Sequence, residues 1–125
     1  MKLTLTPQES ENFFYNSLCN GLDYIYGYGL QLNYNDQEYD EACSKLDSPC
    51  FEDVLMQMLR DGKGLTLVDF ECDGEYTRTI TLKEVHERVQ DTPIRHLMDA
   101  INENDDAVTA DVIIQQVFFQ ETIFG

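Results

Sequence analysis

Between Tyr24 and Tyr34 the chain alternates, with Tyr24, Tyr26 and Tyr28 separated by Ile25 and Gly27 and followed by Gly29. A period of two puts the three rings on one face of a strand and the glycines on the other. Such rings can stack on a flat small molecule with their hydroxyls at the rim, or cover a core while the glycines admit a close helix. Carboxylates are the second abundant group. Asp69, Glu71, Asp73 and Glu75 alternate along one run, and Asp36, Glu38, Asp40 and Glu41 crowd another. Acids spaced in this way form either a solvated surface or an imitation of DNA phosphates, offered to the basic groove of a DNA-binding protein.

Other chemistry is less well supplied. Asp69-Phe70-Glu71-Cys72-Asp73-Gly74 imitates the start of a calcium loop, with oxygen ligands at positions 1, 3 and 5 and Gly at 6. Position 12, where a bidentate Glu belongs, is Ile80, so the segment reads as a solvated acidic turn. His96 falls opposite the apolar side of its helix and is expected exposed, whereas His86 falls at the edge of a buried side. No G-x-S-x-G elbow accompanies the serines. Gly27-Tyr28-Gly29 and Asp61-Gly62-Lys63-Gly64 each lack the rest of a phosphate-cradling loop. Cys19, Cys43, Cys50 and Cys72 have no CxxC or other ligand spacing and read as reduced packing residues. No metal or cofactor is expected, and no catalytic residue is assigned.

The 125 residues fit one domain, 1–125, and their 42% apolar content is enough for a core. Twenty-four acids face eight bases for a net charge of −16, divided as −7 over residues 1–64 and −9 over 65–125. So strong an acid excess disfavours direct binding to nucleic-acid phosphates. No stretch approaches the roughly 18 apolar residues of a membrane span, and the start resembles no signal peptide. A cytoplasmic protein is expected.

The elements that must hold these groups can be read in order. After a short strand at Lys2 to Leu5, Thr6-Pro7-Gln8-Glu9 is a capping box with Pro at the first position, opening a helix that buries Phe13, Phe14 and Leu18. Asn20-Gly21 should end it. The Tyr-rich strand follows, then a polar loop from Asn35 to Glu41 and a short helix carrying Ala42, Cys43 and Leu46. From Ser48-Pro49, Phe51, Val54, Leu55, Met58 and Leu59 recur at helical spacing up to Gly62. LTLVDFE and EYTRTI flank Cys72-Asp73-Gly74 as a hairpin. A second capping box at Thr81 opens a helix with Leu82, Val85 and Val89 inside. Thr92-Pro93 starts another, with Ile94, Leu97, Met98 and Ile101 on one face, and Asn102 to Asp106 is a polar break. The last helix runs from about Ala110 through Phe124, apolar almost all round its axis, as expected of a helix central to the fold or buried in a subunit interface.

The tail Asp105-Asp106-Ala107-Val108-Thr109-Ala110-Asp111-Val112-Ile113-Ile114-Gln115, running on to Glu121-Thr122-Ile123-Phe124-Gly125, resembles the terminus of small uncharacterised phage and prophage proteins. There it reads approximately D-A-x-T-A-D-V, two apolar residues, Gln, an apolar run, then E, two apolar residues and G. Leu22 to Tyr26 is similar to an aromatic segment after their first helix, and Leu65 to Val89 to their acidic hairpin and the helix after it. This chain departs from the pattern with Gln120 where Gly is common and no Trp near Tyr26. The resemblance implies a mobile-element origin and carries over no catalytic residue. Physically, Thr109 or Asp106 can cap the final helix, and Asp111 suits its positive end.

The expected fold is α+β, a small antiparallel sheet of about three strands packed by about five helices, with the C-terminal helix buried. The expected function is non-enzymatic: an accessory protein that binds a basic host or phage protein through Asp36, Glu38, Asp40, Glu41, Asp69, Glu71, Asp73 and Glu75, in the manner of a DNA mimic if those acids cluster. A small-molecule binder using Tyr24, Tyr26 and Tyr28 is the alternative, an enzyme built on folded-together carboxylates a further one, and a homodimer through apolar helical surface also stays open.

Overall fold

In the computed structural model, which describes residues 3–102 and 106–125, helices and a three-stranded antiparallel sheet form an α+β fold. Helix α1 spans Pro7–Gly27, β1 Leu30–Asn33, α2 Asp36–Ser44 and α3 Phe51–Arg60. β2 is Leu65–Asp69, β3 Arg78–Ile80, α4 Leu82–Arg88, followed by a 3-10 turn at Val89–Asp91; α5 is Ile94–Ile101 and α6 Ala107–Phe119.

α1 starts at the expected capping box, where the Thr6 hydroxyl accepts from the Glu9 N–H at 3.1 Å and the Glu9 carboxylate returns the bond at 2.8 Å. It does not end at Asn20-Gly21. Phe14, Leu18, Leu22 and Ile25 continue one buried stripe through the glycine. Gly21 serves close approach instead, since a Cβ on it would lie 2.9 Å from the carbonyl carbon and the Cβ of Ala110 on α6. The turn that ends α1 comes at Gly29, whose φ of +85° suits glycine. Tyr24 and Tyr26 are therefore helical and Tyr28 is the C-cap, so the expected Tyr-rich strand shrinks to Leu30–Asn33. The expected strand at the start is also absent from the described part, Leu3 to Leu5 being irregular; Lys2 lies outside the described residues.

α6 packs chiefly against α1, and its residues from Thr109 to Phe119 are all buried. The expectation of a buried C-terminal helix holds, and its apolar circumference lies inside the fold. It begins earlier than expected because the Asp106 carboxylate caps the N–H groups of Val108 and Thr109, each at 3.0 Å. It also ends earlier. Gln120 turns left-handed at φ +63°, and Ile123 and Phe124 fold back instead of extending the helix. The buried Gln115 carboxamide holds them, accepting from the N–H of both at 2.8 and 2.9 Å and donating to the Phe124 carbonyl at 3.0 Å.

β2 lies between its two neighbours, with Leu30 opposite Asp69, Leu32 opposite Leu67 and Leu65 opposite Ile80. Leu30, Leu32, Leu65, Leu67 and Ile80 face the helices. Asp73 and Gly74 make the expected turn with φ of +54° and +80°, but the strands stop well short of it. Asp69 closes the intervening loop: its carboxylate accepts from the N–H groups of Glu71, Cys72 and Tyr76 at 2.9 to 3.1 Å, and its own N–H donates to the Thr77 hydroxyl at 3.0 Å. The polar run after Asn35 is helix rather than loop, because the Asn35 side chain caps Glu38 at 3.0 Å and starts α2 at once.

Candidate functional site

The face of the sheet turned away from the helices carries Gln31, Asn33, Thr66, Val68 and Thr79, all exposed or half-buried. Gln31 stands opposite Val68, Asn33 opposite Thr66, and Thr66 opposite Thr79, to which it is hydrogen-bonded through the two hydroxyls at 2.7 Å. The face is thus uncharged and mostly polar, with Val68 its one apolar side chain.

A shallow cleft opens at each end of it. The larger, about 440 Å³, is lined by Tyr26, Gly29, Leu30, Gln31, Phe70 and Glu71. Phe70 is 65% exposed. The tight turn at Gly29 lets Glu71 lie across it, where any Cβ would collide with the Glu71 side chain. The smaller cleft, about 350 Å³, is lined by Asn33, Tyr34, Asn35, Glu38, Gly64 and Thr66. Its aromatic wall is fixed by Tyr34 stacking on Tyr39, centroids 5.0 Å apart, with Phe51 behind. One carboxylate borders each cleft.

The eight acids singled out from the sequence do not form one array. Asp36, Glu38, Asp40 and Glu41 lie on α2, beyond the end of the ladder where Asn33 meets Thr66. Glu71, Asp73 and Glu75 lie in the loop beyond the opposite end, where Leu30 meets Asp69, so roughly 10 Å of strand separates the groups. On α2, Asp36 and Asp40 share a side at i, i+4, whereas Glu38 meets Lys63 at 3.9 Å and Glu41 accepts from Gln37 at 3.5 Å. Asp69 is a correction: it is buried, and its backbone partners hold its carboxyl below the ordinary range, the Cys72 N–H first, then those of Tyr76 and Glu71 against the opposing effect of burial. It builds the loop and presents no charge to a partner. The same bonds occupy both of the oxygens that a calcium ion would need.

The three tyrosines do not share a face either. On a helix Tyr26 points about 160° away from both Tyr24 and Tyr28, and Tyr24 and Tyr26 are exposed. Tyr28 is tied inward: its hydroxyl donates to Asp111 at 2.6 Å and its ring stacks on Phe124 at 5.2 Å. Burial and the Asp111 carboxylate push the Tyr28 phenol up to about 12. Asp111, expected to answer the helix dipole, is spent on this bond and on Gln115 at 2.8 Å. Of the three, only Tyr26 reaches the cleft at the sheet.

A charged centre that sequence reading missed lies on the other side of α1. Glu11 is buried and accepts from His86 Nε2 at 2.9 Å and from Arg60 Nε at 3.0 Å. Burial pulls its pKa upward, but the bonds to His86 and Arg60 outweigh it and leave the carboxyl lowered. The signal was present, since Glu11 precedes Phe14 by three residues on the buried stripe of α1. Both carboxylate oxygens are engaged, so the group ties α1, α3 and α4 together.

His96, expected exposed, faces α6 through Nδ1 and the Thr109 hydroxyl at 3.3 Å. Cys19, Cys50 and Cys72 are exposed rather than packed, with Cys43 half-buried. Cys50 meets the Tyr15 hydroxyl at 3.6 Å. That contact, with Asp53 and burial behind it, raises the Tyr15 phenol. Among the described residues no group of three or more His, Cys, Asp or Glu side chains converges on a metal-sized space, and no helix is long and apolar enough to cross a membrane. No family model, no curated protein and no solved structure matches this chain.

Proposed function

We propose that this chain is a non-enzymatic acidic binding protein, an accessory protein of a phage or prophage, that docks a basic host or phage protein across the outward face of its sheet in the cytoplasm of a bacterial host. The observation that carries this reading is the sheet face itself: uncharged, bordered at one end by Glu38 and at the other by Glu71, with Tyr26 and Phe70 exposed beside the latter. A partner with two basic ridges spaced by more than the roughly 10 Å of strand between the clefts meets both carboxylates while hydrogen-bonding to Gln31, Asn33 and Thr79. The net charge of −16 steers such a partner and repels copies of the chain itself. The phage or prophage origin rests on the resemblance of the tail.

The test is a tagged pull-down from bacterial lysate after nuclease treatment, with wild type beside a Glu38→Lys/Glu71→Lys variant, read by mass spectrometry. A basic protein retained by wild type, lost with the variant and released by rising salt supports the reading. Release of the same protein by excess duplex DNA makes the interaction mimicry, with the partner's DNA groove as the contact. Equal recovery with the variant removes the sheet face from the interaction. An empty pull-down at low salt refutes protein binding, and a thermal-shift screen of planar ligands with Tyr26→Ala and Phe70→Ala as controls then tests the small-molecule alternative at the 440 Å³ cleft.

A further inference from the structure

Cys19 and Cys50 stand far apart in the chain and share no ligand spacing, yet the fold brings them to one hydroxyl. Tyr15 and Cys19 lie one turn apart on α1, at i and i+4, and so share a face. Cys50 is the cap residue at the start of α3, and Glu52 belongs to the first turn of that helix. The Tyr15 hydroxyl meets the Cys50 sulfur at 3.6 Å, and the Cys19 thiol donates to the Glu52 carboxylate at 3.8 Å. Partial desolvation and then the Glu52 charge raise the Cys19 thiol, although its residue is exposed; the Tyr15 hydroxyl opposes them as a hydrogen-bond partner, and Cys50 adds to the rise. Both sulfurs therefore attend the same oxygen.

Two sulfurs that share one hydroxyl lie at most about 8 Å apart, twice the length of a long hydrogen bond to sulfur. A χ1 rotation carries a cysteine sulfur through about 3 Å. A turn at each, with the hydroxyl withdrawn from between them, covers the gap to the bond of about 2 Å in a disulfide. Room for these movements is present. Both cysteines are exposed, and residues 46–49 ahead of Cys50 are irregular and include the positive φ of Ser48. Tyr15 also borders a concavity of about 420 Å³ into which its hydroxyl can turn.

We propose that Cys19 and Cys50 form a redox-sensitive thiol pair, closed by a peroxide into a disulfide that ties α1 to the start of α3. One sulfur, as thiolate, attacks a peroxide oxygen and breaks the O–O bond, leaving a sulfenic acid and, with the proton of that thiol, one water. The second sulfur then attacks the sulfenic sulfur, whose hydroxyl leaves as another water with the proton of the second thiol. The two thiols lose two hydrogens and two electrons in all, and the peroxide becomes two waters. No residue of the sheet face takes part, so the pair stands or falls independently of the reading above.

The test treats the full chain with hydrogen peroxide, alkylates the remaining thiols and maps linked peptides by mass spectrometry without reduction. The intact mass is expected to fall by about 2 Da. One peptide pair, joined through Cys19 and Cys50, should exceed any other pairing about tenfold or more, because the fold presents these two to each other. In urea that preference is expected to vanish. Cys19→Ser and Cys50→Ser, small changes at exposed positions, should each stop closure and leave on the remaining partner a sulfenic acid that dimedone traps. Tyr15→Phe, which removes the intervening hydroxyl, should close faster than wild type. The absence of a linked peptide, a linkage through Cys43 or Cys72 in its place, or the same pairing in the folded chain as in urea overturns the proposal. So does a cross-link between two chains, read as a doubled mass.

Discussion

Gly21 and Gly27 lie in the same helix, and replacing each with alanine separates two physical terms. Neither has a positive φ, so each substitution gains up to about 1 kcal/mol of helix propensity. At Gly27 nothing lies within 4 Å of the new Cβ, and Gly27→Ala is expected to stabilise by about 0.5–1 kcal/mol. At Gly21 the Cβ would sit 2.9 Å from two carbons of Ala110 and 3.0 Å from the Asp111 nitrogen. Carbon pairs settle at about 3.5–4.0 Å, and two of these three atoms belong to the backbone of α6, which is buried and cannot step aside. Overpacking of this kind costs about 1–3 kcal/mol, which places Gly21→Ala about 1–3 kcal/mol below Gly27→Ala. Urea denaturation followed by far-UV circular dichroism reads the difference as separated midpoints at a common slope. Two variants of equal stability would refute the close crossing of α1 on α6. Loss of stability in Gly27→Ala would refute the helical assignment of Tyr24 to Gly27, and with it the placement of Tyr26 beside the sheet.

Gln115→Leu strands the N–H groups of Ile123 and Phe124, and at about 1–3 kcal/mol for each unsatisfied group it should release the tail; hydrogen exchange is expected to quicken at both amides while α6 stays protected. Asp69 titrates below its unfolded value, so its contribution is present above the ordinary carboxylate pKa and is lost as pH falls through the lower, folded one. Thermal melts taken down to acid pH should therefore lose stability more steeply in wild type than in Asp69→Asn, and parallel profiles would contradict the assignment. The Cys72 thiol, though its residue is exposed, is raised by partial desolvation against its loop and by the charges of Asp69, Glu75, Glu71 and Asp73. Its alkylation near neutral pH is expected to lag behind that of an unstructured cysteine and to speed up with salt, as the surrounding acids are screened. Glu71→Lys together with Glu38→Lys should reduce retention of the basic partner while lowering the melting temperature only slightly, since the Glu38–Lys63 contact at 3.9 Å is a surface pair.

Elements specified by short-range chemistry were legible in the sequence. The capping boxes at Thr6 and Thr81, the apolar stripe from Phe51 to Leu59, the Asp73-Gly74 turn and the apolar circumference of α6 were each legible from residues a few positions apart, although α6 runs from Ala107 to Phe119 instead of from Ala110 to Phe124 and the strands stop short of the turn. Gly21 misled because a glycine that ends a helix and one that admits a second helix are the same residue in a sequence. Only the position of Ala110 distinguishes them. The alternation of Tyr24, Tyr26 and Tyr28 was ambiguous for a related reason: every second residue being aromatic fits a strand, while Ile25 at helical spacing from Leu18 and Leu22 fits α1, and the burial of Ile25 against the core favours the helix.

The candidate sites divide along the same line. That the chain is acidic, where the carboxylates fall along it, and that α5 has an apolar stripe were determined by the residues themselves, since charge and helical spacing need no partner. Tertiary structure alone decided that Asp69 turns inward to hold a loop, that the other acids part to the two ends of a sheet, and that α5 docks by the flank carrying Leu97 and His96, leaving Ile94, Met98 and Ile101 outside. Each depends on which surface another element covers, and that is settled by packing between residues far apart in the chain.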